Sequence, residues 1–178
     1  MDKLPLYPYS FLEKKTTAGS KTNEFEQYVI DAWCTNRNEK IEYLLNLYRY
    51  GTYLYISDIL PRLWENEPDC FTRFTSHEGY AVNMKKISIT CLYIFFENVA
   101  NRNNDAALVI SGSYQAGEDK LKDSRKLKLY KYFFLPYLFE LHLRLIGIEG
   151  MNAFVLIKKE SALQNETIIN DYKKFKSN

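Results

Sequence analysis

Glu140, His142 and Arg144 alternate along one stretch of the chain, and a carboxylate, an imidazole and a guanidinium in such a row have two uses. If their face lines a pocket, the imidazole can carry protons between the carboxylate and a substrate; if it meets solvent or another protein, the row is a polar contact face. The rest of the chain suits the second use better. His77 lies beside Glu78 in a stretch without clear periodicity and reads as a surface residue rather than a ligand or catalyst. Cys34, Cys70 and Cys91 are odd in number and far apart, with none of the paired spacing of a metal knuckle or a redox pair. No Gly-rich phosphate loop and no Ser-His-Asp arrangement accompanies them. The expectation is a protein with no metal and no organic cofactor of its own, a binding module more than an enzyme. A small-molecule enzyme built from scattered Tyr, Asp and His residues around a cavity stays open beside it.

Basic residues need the same weighing. Lys120, Lys122, Arg125, Lys126, Lys128 and Lys131, interleaved with Tyr130 and Tyr132, have the types that contact RNA phosphates and stack bases. Glu118, Asp119 and Asp123 dilute that charge, and a formal net charge of +2 gives no long-range field. Direct RNA contact is therefore the lesser reading. Aromatic content points instead to protein contacts: 15 Tyr and 11 Phe stand against only 7 Gly, and Tyr joins apolar area to a polar tip. Trp64, Phe71 and Phe74 read as core packing rather than as a pocket for a partner peptide.

The elements that would position these residues are read from periodicity. Residues 126–133 and 139–148 alternate in the two-residue rhythm of strands, Glu149-Gly150-Met151-Asn152 makes a turn, and 153–158 is a second apolar run that closes a hairpin. Leucines 127, 129, 141, 143 and 145 would then take the core side. Lys128, Tyr130, Tyr132, Glu140, His142 and Arg144 would emerge on the other as a partner interface. Upstream, Asn23 and Glu26 have the spacing of a capping box, with Phe25, Tyr28, Val29, Ala32 and Trp33 on one helical stripe. A second helix is expected from Asn38 to near Gly51, a short strand over 52–57, and a third helix over 59–67. Residues 86–96 alternate and read as a long strand, with helix as the rival. Residues 106–114 read as a strand bent at Gly112, and 116–124 as a charged loop.

A chain of 178 residues with 46% hydrophobic and 26% charged residues fits one globular domain over residues 23–160, after a lead-in at 1–22 and before a charged, partly helical tail at 161–178. No stretch approaches the roughly 18 uninterrupted apolar residues of a membrane span, and residues 1–20 hold no signal-peptide core. A reducing compartment, nucleus or cytoplasm, is expected.

Helix, helix, strand, helix and then long antiparallel strands is an α+β order. It resembles the nuclear transport factor two-like superfamily, whose cone-shaped domain wraps a curved antiparallel sheet around N-terminal helices. Residues 38–56 (helix, Tyr-Gly, strand), 107–120 (Ala-Leu-Val-Ile-Ser-Gly-Ser-Tyr and a charged loop) and 137–158 (a closing hairpin) are similar to segments of its export-factor branch. The nearest resemblance is to the small subunit of the fungal messenger-RNA export receptor heterodimer. The hairpin departs from the family's frequent Asn-Asp before an aromatic, having Leu145-Ile146-Gly147-Ile148. What the resemblance implies is a dimer subunit without enzymatic activity, binding protein through its sheet, in nuclear export of messenger RNA.

Overall fold

Four strands in succession open the chain: β1 (Tyr9–Thr16), β2 (Glu24–Cys34), β3 (Glu39–Tyr50) and β4 (Leu54–Pro61). In this computed structural model, which describes residues 6–16, 22–68, 79–114, 117–120 and 122–177, they form an antiparallel meander. After a single 3-10 turn at Arg62–Trp64 come α1 (Met84–Phe95), β5 (Ala107–Ser111), α2 (Arg125–Leu138), β6 (Leu143–Ile148), β7 (Ala153–Lys158) and α3 (Asn165–Ser177). All seven strands join one mixed sheet in the order β1-β2-β3-β4-β5-β7-β6, with β4 and β5 parallel. The fold is α+β.

Both faces of the sheet are covered, and this is what defeats a reading by periodicity. Tyr28, Ile30, Tyr43, Leu45, Tyr55, Leu108, Phe154 and Leu156 share one core with residues of α1 and α2. Leu54, Ile56, Ala107, Val109, Val155 and Ile157 lie on the other face with Ile168 and Tyr172 of α3, and Val29, Leu44 and Leu60 meet Trp64 there. A strand buried on both faces carries apolar residues at odd and even positions, so chance subsets match a helical stripe.

Residues 24–34 and 39–50, expected as helices, are accordingly strands. Asn38, at φ 54°, serves the β2–β3 hairpin rather than a helix start, and Gly51, at φ 62°, serves the β3–β4 turn rather than a helix exit. The left-handed conformation suits both roles equally. The third expected helix contracts to the 3-10 turn, because β4 continues to Pro61.

The opposite correction applies to residues 84–95 and 125–138, which are helices. Connecting parallel neighbours β4 and β5 requires a crossover, as does carrying the chain from β5 past β7 to β6, and a helix is the usual solution. Asn83 caps α1 by accepting from the Lys86 amide at 3.0 Å, and Ser124 caps α2 by accepting from Leu127 at 3.1 Å. α1 is buried along nearly its whole length, which hides its period. α2 buries Leu127, Tyr130 and Phe134, a 3.6-residue stripe that coincides with part of an alternating pattern. Strands at 107–111, 143–148 and 153–158 and a helical tail fall within their expected segments.

Candidate functional site

β4 has a strand on each side for only part of its length. Its pairing to β3 continues to Pro61, whereas its pairing to β5 covers only Leu54–Ile56 against Ala107–Val109. The Tyr53 carbonyl accepts from the Ala107 amide at 2.8 Å, and by strand alternation Ser57 and Ile59 turn their backbone groups to that same side, where no strand of the described residues lies opposite. Ser57 marks the fork: its hydroxyl donates to the Val109 carbonyl at 2.9 Å, a side chain beginning where the ladder ends.

A cleft of about 130 Å³ occupies the fork. Ser57, Asp58 and Ile59 line it from β4, Ile110, Ser111, Gly112 and Ser113 from β5 and the residues after it, and Lys126 and Tyr130 from α2. The first turn of α2 is held against it by a compact network. Asn152, buried and at φ 47°, accepts from the Ser124 amide at 2.8 Å and donates to the Gly112 carbonyl at 2.7 Å, while the Gly112 amide donates to the Asn152 carbonyl at 3.0 Å. Gly112 is required for this approach: a Cβ there would lie 2.2 Å from Ser124 Oγ and 2.9 Å from Leu127 Cβ.

Two titratable groups line the cleft, Tyr130 from the α2-covered face of the sheet and Asp58 from the face under α3. Tyr130 is 6% exposed, its ring 6.4 Å from that of Phe134, and burial pushes its hydroxyl well above the usual phenol range. It therefore stays protonated and can donate a hydrogen bond. Burial also raises the Asp58 carboxyl, against a pull downward from Lys176 and Lys126. Asn46 stands opposite Asp58 in the β3–β4 register and accepts from Gln27 at 2.9 Å, so Gln27, Asn46 and Asp58 form a polar row across three strands. Beside it the Tyr172 hydroxyl, under α3, is buried with no hydrogen-bond partner, and the Asp58 charge adds to the burial that raises it.

Two larger depressions are less suited to binding. One of about 410 Å³ at Glu39–Glu42 is rimmed by charges that satisfy one another, with Arg62 to Glu42 at 2.7 Å and Lys40 to Glu42 at 3.3 Å. The other, about 670 Å³ at Tyr50 and the end of α3, is lined mostly by Asn170, Lys173, Lys174 and Ser177.

The six residues expected to form one sheet face are dispersed. Lys128 and Tyr132 are exposed on the outer side of α2, whereas Tyr130 points inward to the cleft. Glu140 and His142 lie in the turn between α2 and β6, where His142 adopts φ 50° with its side chain 73% exposed and 3.8 Å from Glu160. Arg144, on β6, is half-buried and donates to the Leu163 carbonyl. The Glu140-His142-Arg144 row therefore makes no shared strand face. Cys34 and Cys91 are buried as free thiols, Cys91 with its pKa raised by burial. His77, Cys70, Phe71 and Phe74 lie outside the described residues.

Ser57, Asp58, Gly112 and Asn152 were not singled out for chemistry by sequence reasoning. The readable signal was the polar pair Ser57-Asp58 inside the otherwise apolar run Leu54–Leu60. Among the described residues no three His, Cys, Asp or Glu side chains come together as a metal site, and no helix is long and apolar enough to cross a membrane. No protein-family model, curated protein or solved structure matches the chain.

Proposed function

We propose that this chain binds an extended, amide-bearing small molecule in the fork between β4 and β5 and transfers a group from it. The observation that carries the reading is the splitting of two parallel strands within one sheet, which leaves an edge of β4 free beside a polar cleft. Ligands of open sheets with parallel strands sit at the carboxyl ends of those strands, and this fork opens toward the carboxyl ends of both β4 and β5. Size narrows the choice. At about 130 Å³ the cleft falls below the roughly 300 Å³ at which compact ligand sites begin, so an unbranched arm suits it better than a ring system. Amides along such an arm would complete the interrupted ladder as a substitute strand.

Lys126, in the first turn of α2 at the cleft, favours an anionic terminus. A linear diamide arm ending in phosphates describes a pantetheine-bearing group carrier, coenzyme A being the simplest. In a transfer from its thioester, the acceptor forms a bond to the acyl carbon, the carbon–sulfur bond breaks, and the thiolate takes a proton. Tyr130, kept protonated by burial, donates a hydrogen bond to that sulfur as charge develops on it. Asp58, lining the same cleft, accepts the proton that the acceptor loses and passes it to the thiolate.

The test is calorimetric titration with coenzyme A, acetyl-coenzyme A and, as control, adenosine 3′,5′-bisphosphate, which lacks the arm. Binding by the first two and not by the third is expected. Tyr130→Phe should keep that binding while lowering acyl transfer by about 10²–10³-fold. No heat with any pantetheine compound, or equal affinity for the armless nucleotide, would overturn the proposal.

A second reading, a dimer subunit of the nuclear transport factor two-like superfamily in messenger-RNA export, rests on the local likenesses at 38–56, 107–120 and 137–158. Residues 38–50 and 86–96, on which the helix-and-strand order of that resemblance leaned, have the other secondary structure. Exposed rings on α2 are the observation that favours a protein partner of any kind.

A further inference from the structure

α2 is amphipathic with its apolar residues on both sides. Its inner side is accounted for by Leu127, Tyr130 and Phe134. At 100° per residue, Leu129, Tyr132, Leu135 and the helix-ending Phe139 fall in the opposite half, and they are 50%, 69%, 57% and 82% exposed. Scattered exposed leucines need no explanation, but a continuous stripe of two aliphatic and two aromatic side chains on one helix marks a contact surface.

Charge decides what covers it. Arg125 and Lys128 project from the same outer half in the first turn, which holds no acidic residue of its own, while the Glu118 carboxylate accepts from the Arg125 amide at 2.8 Å. Lys128 has no ion-pair partner among the described residues, and the 85%-exposed Arg125 side chain reaches only to within 3.9 Å of Glu118. The outer face thus grades from cationic at the N-terminal end to mainly apolar at the C-terminal end, where Lys159 Nζ lies 5.4 Å from the centroid of the Phe139 ring. A second copy of this chain offers no matching helix among the described residues. α1 is buried along nearly its whole length, and α3 spends its apolar side on the sheet and carries Lys173, Lys174 and Lys176. Cations confined to the two ends also suit a lipid surface poorly, because an interfacial helix needs them along its whole polar side.

We propose that the outer face of α2 binds an acidic amphipathic helix of another protein, its carboxylates beside Arg125 and Lys128 and its apolar row over Tyr132, Leu135 and Phe139. Steering by the cations sets the on-rate, and the rings act as anchors.

Fluorescence anisotropy with a synthetic amphipathic helix, Leu along one face and Glu on its flanks, tests this against the same peptide with Lys in place of Glu. The Glu peptide should bind at least tenfold tighter, with affinity falling as salt rises. Tyr132→Ala combined with Phe139→Ala should weaken it by a further tenfold or more, and Lys128→Glu should reduce the preference for the Glu peptide. Both positions are exposed, so circular dichroism should be unchanged; if the double variant misfolds, Lys128→Glu alone decides. Equal binding of the two peptides, wild-type binding by a folded double variant, or tighter association with phosphatidylserine vesicles than with the Glu peptide would overturn the proposal. Self-association in sedimentation that the double variant abolishes would overturn it too, by making a second copy the occupant.

Discussion

Adding one methyl group at Gly112 should do disproportionate damage. The new Cβ would meet Ser124 Oγ at 2.2 Å and Leu127 Cβ at 2.9 Å. The serine hydroxyl can rotate away, but only by abandoning the Leu127 amide that it caps at 3.1 Å, a loss of about 1 kcal/mol. Leu127 Cβ has no such escape, since it moves only with the first turn of α2, and overpacking of that kind costs about 1–3 kcal/mol. Gly112→Ala should therefore lose roughly 2–4 kcal/mol, which for a chain of this length lowers Tm by roughly 5–15 °C. Ser124→Ala alone should lose only the cap, about 1 kcal/mol. Combining the two should cost less than their sum by about 1 kcal/mol, because the closest clash disappears with the hydroxyl. Thermal and urea unfolding of the four proteins in this cycle provides the measurement. If Gly112→Ala unfolds within about 0.5 kcal/mol of wild type, or the two changes simply add, the account of how α2 is held against the cleft is wrong.

Two further outcomes concern charge. Asp58 has its pKa raised by burial, so its ionised form opposes folding, and stability rises as pH falls through the folded-state value; Asp58→Asn should raise Tm at pH 7–8 and lose that advantage in acid, while weakening whatever proton transfer the cleft performs. Asp171 has its carboxyl lowered, first by the hydrogen bond that Tyr53 donates at 2.6 Å, so the stabilisation exists above the ordinary carboxylate range and fades as pH falls through the lower, folded value. Tyr53→Phe should accordingly cost about 1–2 kcal/mol at pH 7, shrinking below about pH 4, as read by denaturant melts at both pH values.

Local chemistry was legible wherever a single residue type answers a single local demand. Whereas the expected bend at Gly112 inside a strand is instead the point just past the end of β5, the turn at Glu149–Asn152, the hairpin strands at 143–148 and 153–158 and the helical character of the last residues all follow from such demands. So does the one visible trace of the cleft, a Ser-Asp pair interrupting an apolar strand. Helix against strand was not decided locally for residues 24–50, 84–95 and 125–138. Gly51 and Asn38 satisfy a hairpin and a helix end alike, and runs buried from both sides lose the polar positions that would betray their period. Covering the sheet on both faces is a tertiary event, and only it turns 24–50 into strands and 84–95 into a crossover. The fork between β4 and β5 belongs wholly to that level. Asp58 and Tyr130 are 72 residues apart in the chain, and what brings them to one cleft is the order in which seven strands lie, together with the contact that a glycine permits between α2 and the end of β5.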